Sequence, residues 1–239
     1  MSDSIEYAFF MRSNGFFGAK NADQPAKQIR LFKFLDCIHY SLAILNTQYN
    51  DLSSILAKLT PSDSDQIIRA LAVSWSIVES IHRVREVAQN IPGLSSQAPQ
   101  LKSFINDTSI VEDFRDYIQH LRNELAKIDL DSFPVWGSFS WIDKDNQEIC
   151  YTALTGTVIG KISVNSCVYD LHERKWVSKA VLAIKGRVFN IDPCYESAKQ
   201  FCGFVLDWIR KVKTGQINEK KGIPVISAQL VFPNTKLDK

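Results

Sequence analysis

A chain of 239 residues with 45% hydrophobic and 23% charged side chains is long and apolar enough to build a sizeable core. Its formal net charge of +2 excludes the strongly basic field typical of non-specific nucleic-acid binders. The five cysteines are widely spread and form no CxxC pair, which argues against a zinc knuckle and for a reduced, intracellular protein.

The N-terminal residues 1–29 have no sustained periodicity, although Phe9, Phe10, Phe16 and Phe17 argue against free disorder. We predict an arm that packs on the body or on a partner. Acidic residues stand where a signal peptide would be positively charged, and every apolar run is shorter than the roughly 18–20 residues of a membrane span. The sequence therefore predicts a cytoplasmic protein without a membrane segment.

Two amphipathic helices are predicted next. The first runs from about Gln28 to Lys58, and its apolar stripe recurs at three- and four-residue spacing: Leu31, Phe34, Leu35, Ile38, Leu42 and Leu45. The second runs to about Gln89, and its start combines an N-cap with an acidic first turn: Ser62, Asp63 and Asp65.

A third helix is predicted from the capping-box spacing of Ser109 and Glu112 to about Lys127. After residue 133 the period becomes alternating, with Phe139 and Trp141 on one face of a strand at 137–142 and serines on the other. Further strands are predicted at 149–154, Ile162–Tyr169, Trp176–Ile184 and Arg187–Ile191, with Lys185-Gly186 as a tight hairpin link. Asp192 as N-cap and Pro193 open a last helix to about Val212.

The order of elements predicts an α+β fold, mainly a four-helix bundle with an antiparallel β-hairpin insertion before the last helix. We predict that residues 30–213 form a single domain, with the β insertion at about 134–191, and two separate domains are the alternative. Residues 214–239 form a basic C-terminal tail.

The stretch "FRDYIQHLRNEL" carries the strongest candidate site. On one continuous helix, Arg115 and His120 would lie about 140° apart and flank a polar strip that contains Asp116, Gln119 and Asn123. A neutral histidine can accept the proton of a ribose 2′-hydroxyl, and a guanidinium can hold the scissile phosphate with two hydrogen bonds. Such RNA cleavage requires no metal and no cofactor. The alternative is an ordinary solvated helix face.

The same stretch resembles the R-x4–6-H signature of the HEPN superfamily, in which a polar residue typically follows the arginine. Arg115, Asp116 and His120 match that pattern position by position. The resemblance implies a helical bundle that pairs with a second copy to form a metal-independent endoribonuclease site. It also implies a setting in toxin–antitoxin or defence systems, with RNA as substrate and an antitoxin or other protein as partner.

Two alternatives remain open at this point. The same surface can serve a non-catalytic module that binds a protein or a nucleotide. The pairs Asp36/His39 and Glu79/His82 have the carboxylate-x-x-His spacing with which di-iron bundles present their ligands, although a single buried histidine is the commoner meaning.

Overall fold

The computed structural model describes residues 8–11, 26–127, 133–161, 163–212 and 218–221. In these ranges helices and antiparallel strands are both present, which confirms the α+β class. The helices are α1 (Ala26–Leu56), α2 (Ser64–Ala88), α3 (Pro99–Asp107), α4 (Ile110–Gln119), α5 (Leu121–Leu125) and α6 (Ile191–Val212). The strands are β1 (Ala8–Met11), β2 (Ser138–Ile142), β3 (Cys150–Leu154), β4 (Tyr169–Asp170), β5 (Lys175–Trp176), β6 (Ala180–Ile184), β7 (Arg187–Asn190) and β8 (Asn218–Lys221).

The first two helices agree with the sequence. Asp63 is the N-cap of α2, and its carboxylate accepts the Gln66 amide hydrogen at 3.0 Å, with Asp65 in the first turn. Such a cap satisfies one of the free N–H groups that every helix start leaves. Within the described ranges, no helix combines the length and apolarity that a membrane crossing needs.

The single third helix predicted from Ser109 is wrong. A nine-residue α3 precedes it, and the Thr108 hydroxyl ends that helix by donating to the Phe104 carbonyl at 2.6 Å. Ser109 has helical backbone angles and makes no side-chain cap, while Glu112 bonds to Arg85 instead of closing a capping box. The four-helix bundle is therefore not confirmed, because the predicted third helix is two short helices, α4 and α5, and α3 was not predicted.

The second break in this region falls at His120. Its backbone angles, φ −103° and ψ 20°, leave the helical region, and its N–H donates to the Asp116 carbonyl at 3.0 Å as the last bond of α4. Helix α5 begins at Leu121. Arg115 and His120 consequently do not lie on one uninterrupted helix.

Four strands form the main sheet in the order β3-β2-β6-β7. Lys185 and Gly186, at φ 45° and 78°, make the predicted hairpin turn between β6 and β7. The predicted strand 162–169 is wrong over residues 163–168. Its end, Tyr169, pairs with Trp176 in a separate two-strand ladder, and β6 begins only at Ala180. The last helix starts at Ile191, one residue before the predicted cap.

The sheet is buried on both faces. Phe139 and Trp141, which the alternation placed on one face of the strand, join the core between sheet and helices. The opposite face, which includes Ser138 and Ser140, is equally buried, with the Ser140 hydroxyl 2.8 Å from that of Thr152. The segment between β3 and β6 joins the sheet at its end, where the Lys179 carbonyl accepts the Ile142 N–H at 3.0 Å and lies 4.0 Å from the Cys167 thiol.

Helix α6 completes the helical core. It packs on α1, α2 and α3, and the Phe201 ring stacks on Phe104 at 4.7 Å between centroids. Strands β1 and β8 pair antiparallel, with Ala8 opposite Lys221. Residues 26–29 of the predicted N-terminal arm instead begin α1. The remaining arm residues 1–7 and 12–25, and the tail residues 214–217 and 222–239, lie outside the described residues.

Candidate functional site

An open groove of about 400 Å³ lies where α1, α2 and α4 meet the turn before β2. This size is within the usual range for small-ligand sites. Its lining combines aromatic, cationic and amide side chains: Ile44, Gln48, Trp75, Ser76, Val78, Glu79, Ser80, Arg83, Arg115, Ile118, Gln119 and Trp136. We call it the α2–α4 groove.

One face of α2 supplies the floor of the α2–α4 groove. Trp75, Glu79 and Arg83 follow each other at four-residue spacing and therefore project from the same side of the helix. The Glu79 carboxylate accepts from Arg83 Nε at 3.2 Å. Ser80, which also lines the groove, donates its hydroxyl hydrogen to the Gln48 side-chain oxygen of α1 at 2.7 Å.

Arg115 enters the groove from α4. Its guanidinium pairs with Glu79, with Nε 3.8 Å from Oε2, a distance too long for a hydrogen bond. With its amide oxygen turned toward Arg115, Gln119 accepts from Nη2 at 2.8 Å and from Nη1 at 3.2 Å. Arg115 Nε is thus buried without a hydrogen-bond acceptor among the described residues, and the same holds for Trp75 Nε1. Two buried donors in one groove lack acceptors.

Trp136 forms the remaining wall and is 45% exposed. Its turn is fixed from two sides, because the Tyr117 hydroxyl of α4 donates to the Val135 carbonyl at 2.7 Å and Trp136 N–H donates to Thr155 at 3.3 Å. Gly137 follows at φ 84°, where an added Cβ would lie 2.3 Å from the Ala183 carbonyl oxygen. The backbone thus holds an exposed indole edge-on to Trp75, with 6.4 Å between ring centroids.

The other residues of the predicted ribonuclease site are placed differently. His120 is exposed at the junction of α4 and α5 and does not line the α2–α4 groove. Asp116 and Asn123 are exposed as well. The structure therefore brings Arg115 and Gln119 together in the groove and leaves His120, Asp116 and Asn123 on the surface beside it.

The four residues of the di-iron alternative do not form a ligand set. In the part of the chain that is described, no three His, Cys, Asp or Glu side chains are placed to hold one metal ion. Glu79 faces the groove arginines, and His82 is buried with Nδ1 3.1 Å from Glu112 Oε1. Asp36 is exposed near the start of α1, and His39 is buried.

A buried ionic network fixes α4 against α2. The Arg85 side chain is only 6% exposed and donates to Glu112 at 2.8 Å, to the Ile105 carbonyl at 2.6 Å and to the Thr108 hydroxyl at 2.6 Å. Burial alone would raise the pKa of Glu112, but the hydrogen bonds from Arg85 and His82 outweigh it and lower that pKa. Because Glu112 precedes Arg115 by one turn, this network also sets where the groove arginine lies.

Sequence reasoning missed Trp75, Arg83 and Trp136 as site residues. In the sequence, Trp75 has the spacing of an apolar residue of α2, and Trp136 directly precedes a strand whose aromatics alternate with serines. The repeat of Trp75, Glu79 and Arg83 at four-residue spacing was the available signal, since it puts an aromatic ring and opposite charges on one face. The exposure of Trp136 follows from the turn at Gly137, which strand periodicity does not show.

The α2–α4 groove is the feature from which we infer a function, because comparisons with known proteins found no match. The side chains that define it are a cationic pair, two indoles and two side-chain amides. The chain matches no protein-family model, no curated protein and no solved structure.

Proposed function

We propose that this chain is a nucleotide-binding module whose α2–α4 groove takes a base against Trp136 and a phosphate beside Arg115. The observation that carries this proposal is the exposed indole of Trp136 in the same groove as the Arg115 guanidinium, whose side chain is 28% exposed. A guanidinium binds acceptor oxygens, and an exposed indole offers its face to a flat ring. A nucleotide is a ligand class with both the oxygens and a flat ring.

The base would stack on Trp136. Base–aromatic stacking contributes about 1–3 kcal/mol per base and tolerates any base, so it gives affinity without sequence preference. The turn that carries the ring is already held by Tyr117 and Thr155, so little ordering of the backbone accompanies binding.

The phosphate would bind beside Arg115 and Arg83. With Glu79 between them, the three groups sum to one net positive charge, which suits a single anionic group. A guanidinium can donate two parallel hydrogen bonds to a phosphate, and Gln119 already orients that of Arg115. The amide of Gln48, at the far side of the groove, can bond the edge of a base.

A metal-independent endoribonuclease of HEPN type is the second candidate. Arg115 and Gln119 line the groove and His120 is the next residue, exposed to solvent where it could reach a bound RNA. In this case His120 would be the general base, with Asp116 and Asn123 as orienting groups. The bundle-like fold, homodimerisation through the α4 surface, a protein antitoxin and a cytoplasmic location stay predictions from the sequence.

Titration of tryptophan fluorescence with adenosine and uridine monophosphates and with a short single-stranded RNA tests binding. We expect Trp136→Ala and Arg115→Met each to weaken binding by roughly ten-fold or more. Arg122→Met, an exposed arginine of α5 outside the groove, is the matched control and should bind as the wild type does. Equal affinity in all four proteins, or no binding by the wild type at millimolar ligand, would refute the proposal.

Incubation of wild type and His120→Ala with mixed RNA in excess EDTA separates the two candidates. Binding without cleavage in both proteins supports the module. Cleavage by the wild type alone, with 2′,3′-cyclic phosphate ends, would replace it with the endoribonuclease.

A further inference from the structure

Two cysteine thiols, those of Cys150 and Cys167, lie at one end of the outer face of the sheet, close enough for each to shift the pKa of the other. Cys150 begins β3, and Cys167 lies in the segment that leads to β4. Ile142, the β2 partner of Cys150, donates its N–H to the Lys179 carbonyl oxygen at 3.0 Å, and Cys167 Sγ lies 4.0 Å from that same oxygen. The sheet end therefore brings together two thiols that are 17 residues apart in the chain.

The two thiols differ in accessibility and acidity. Cys150 is partly exposed, whereas Cys167 is buried. The hydrogen bond from Cys167 lowers the pKa of the Cys150 thiol to about 7, against its burial. The same hydrogen bond, together with burial, raises the pKa of Cys167. Cys150 thus has the larger thiolate fraction, and a neutral thiol lies next to it.

Two other cysteines provide an internal comparison. Burial raises the pKa of Cys194 and of Cys202 to about 12, and both are residues of α6 that face the core. Thiols of that kind are chemically inert toward polar oxidants. Cys37 is exposed on α1.

We propose that Cys150 and Cys167 are a peroxide-reactive pair that closes into an intramolecular disulfide, with hydrogen peroxide as the oxidant. The Cys150 thiolate sulfur attacks one peroxide oxygen and the O–O bond breaks, which leaves a sulfenic acid and, after proton uptake, water. The Cys167 sulfur then attacks the sulfenic sulfur, the S–O bond breaks, and a second water leaves as the S–S bond forms. One peroxide is reduced to two waters while two thiols are oxidised.

The new bond would tie the segment between β3 and β4 to the sheet. Three apolar residues of that segment, Val158, Ile159 and Val168, are exposed. A cross-link across 17 residues restricts the unfolded chain and holds the segment against β3. This site is separate from the α2–α4 groove and does not depend on the function proposed for it.

Peptide mapping of the full-length reduced protein, treated with hydrogen peroxide and then alkylated, tests the pair. We expect a linked Cys150–Cys167 peptide that has lost two hydrogens, formed at least about ten-fold faster than any product at Cys194 or Cys202. In Cys167→Ser, dimedone should trap a sulfenic acid at Cys150. In Cys150→Ser, Cys167 should stay unmodified, and Cys37→Ser should react as the wild type does.

A comparison in the wild type alone guards against variants that fail to fold. In concentrated urea the thiols are no longer held together, so the selectivity for the Cys150–Cys167 link over other pairs should disappear. Absence of the link in the native protein, or equal yields of all cysteine pairs in native and unfolded protein, would overturn the proposal.

Discussion

Arg85 lies at the centre of the contact between α2, α3 and α4, and Arg85→Met tests how much that contact contributes to stability. Methionine keeps most of the aliphatic packing and removes the charge with its three hydrogen bonds, to Glu112, Ile105 and Thr108. Bonds to a charged donor contribute about 1.5–3 kcal/mol each, so roughly 4.5–9 kcal/mol is an upper bound for three.

Two effects reduce that bound. The Glu112 side chain is 41% exposed, so water can solvate its carboxylate once Arg85 is gone. The desolvation cost of burying the guanidinium also disappears with it. We therefore expect Arg85→Met to lower the free energy of unfolding by about 3–5 kcal/mol, the usual cost of removing one partner from a buried ion pair.

Urea denaturation at neutral pH measures this loss, with Arg83→Met as the matched control. Arg83 lies two residues earlier on α2, its side chain is 61% exposed, and its ion pair with Glu79 should contribute less than about 1 kcal/mol. Glu112→Gln and the double variant complete a cycle that isolates the Arg85–Glu112 coupling. If Arg85→Met lowers the free energy of unfolding no more than Arg83→Met does, the buried network does not hold α4 in place.

Three further outcomes are expected. Glu79→Gln removes the carboxylate between the two groove arginines, so phosphate affinity in fluorescence titrations should rise about five-fold at low salt and less at high salt; a weaker affinity would show that Glu79 contacts the ligand. Gly137→Ala should lower the free energy of unfolding, measured in thermal melts, by at least about 3 kcal/mol, because its Cβ would meet the Ala183 carbonyl oxygen. A Cβ at Gly186 meets nothing within 4 Å, so Gly186→Ala should lower it by only about 1 kcal/mol, for its positive φ. Similar losses in the two variants would contradict the steric account. Because folding lowers the pKa of Glu112, its carboxylate stabilises the fold fully at pH values above the ordinary pKa of 4.5, and this stabilisation is lost as the pH falls through the lower pKa of the folded protein. Glu112→Gln should remove that acid-induced loss of stability. Identical curves of stability against pH for the wild type and the variant would refute this prediction.

Local signals in the sequence predicted the elements whose ends depend on near neighbours. Asp63 caps α2 because its carboxylate reaches an amide three residues ahead, and Lys185-Gly186 turns because glycine adopts positive φ at little cost. The α+β class followed from the change of period after residue 133.

Elements governed by distant partners were not predictable in the same way. Glu112 fits a capping box by spacing, yet Arg85, 27 residues away, provides a stronger partner for its carboxylate. The helix breaks at His120, so Arg115 lies within α4 whereas His120 lies at the end of that helix. Trp136 resembles any strand aromatic in sequence, and only the fold shows that it lies in a groove while Trp141 lies in the core.

The distance along the chain between α1 and α6 affects when the protein can fold during synthesis. Tyr49 bonds to Asp192, and Asn46 accepts from Tyr195 across 149 residues. Domains emerge from the ribosome N-terminus first, so α1 and α2 must wait with an apolar face uncovered until α6 has been made. Closing so long a loop costs entropy before any contact compensates for it, which makes core completion a late step. A nascent chain stalled before α6 would expose that face and become a target for chaperones and proteases.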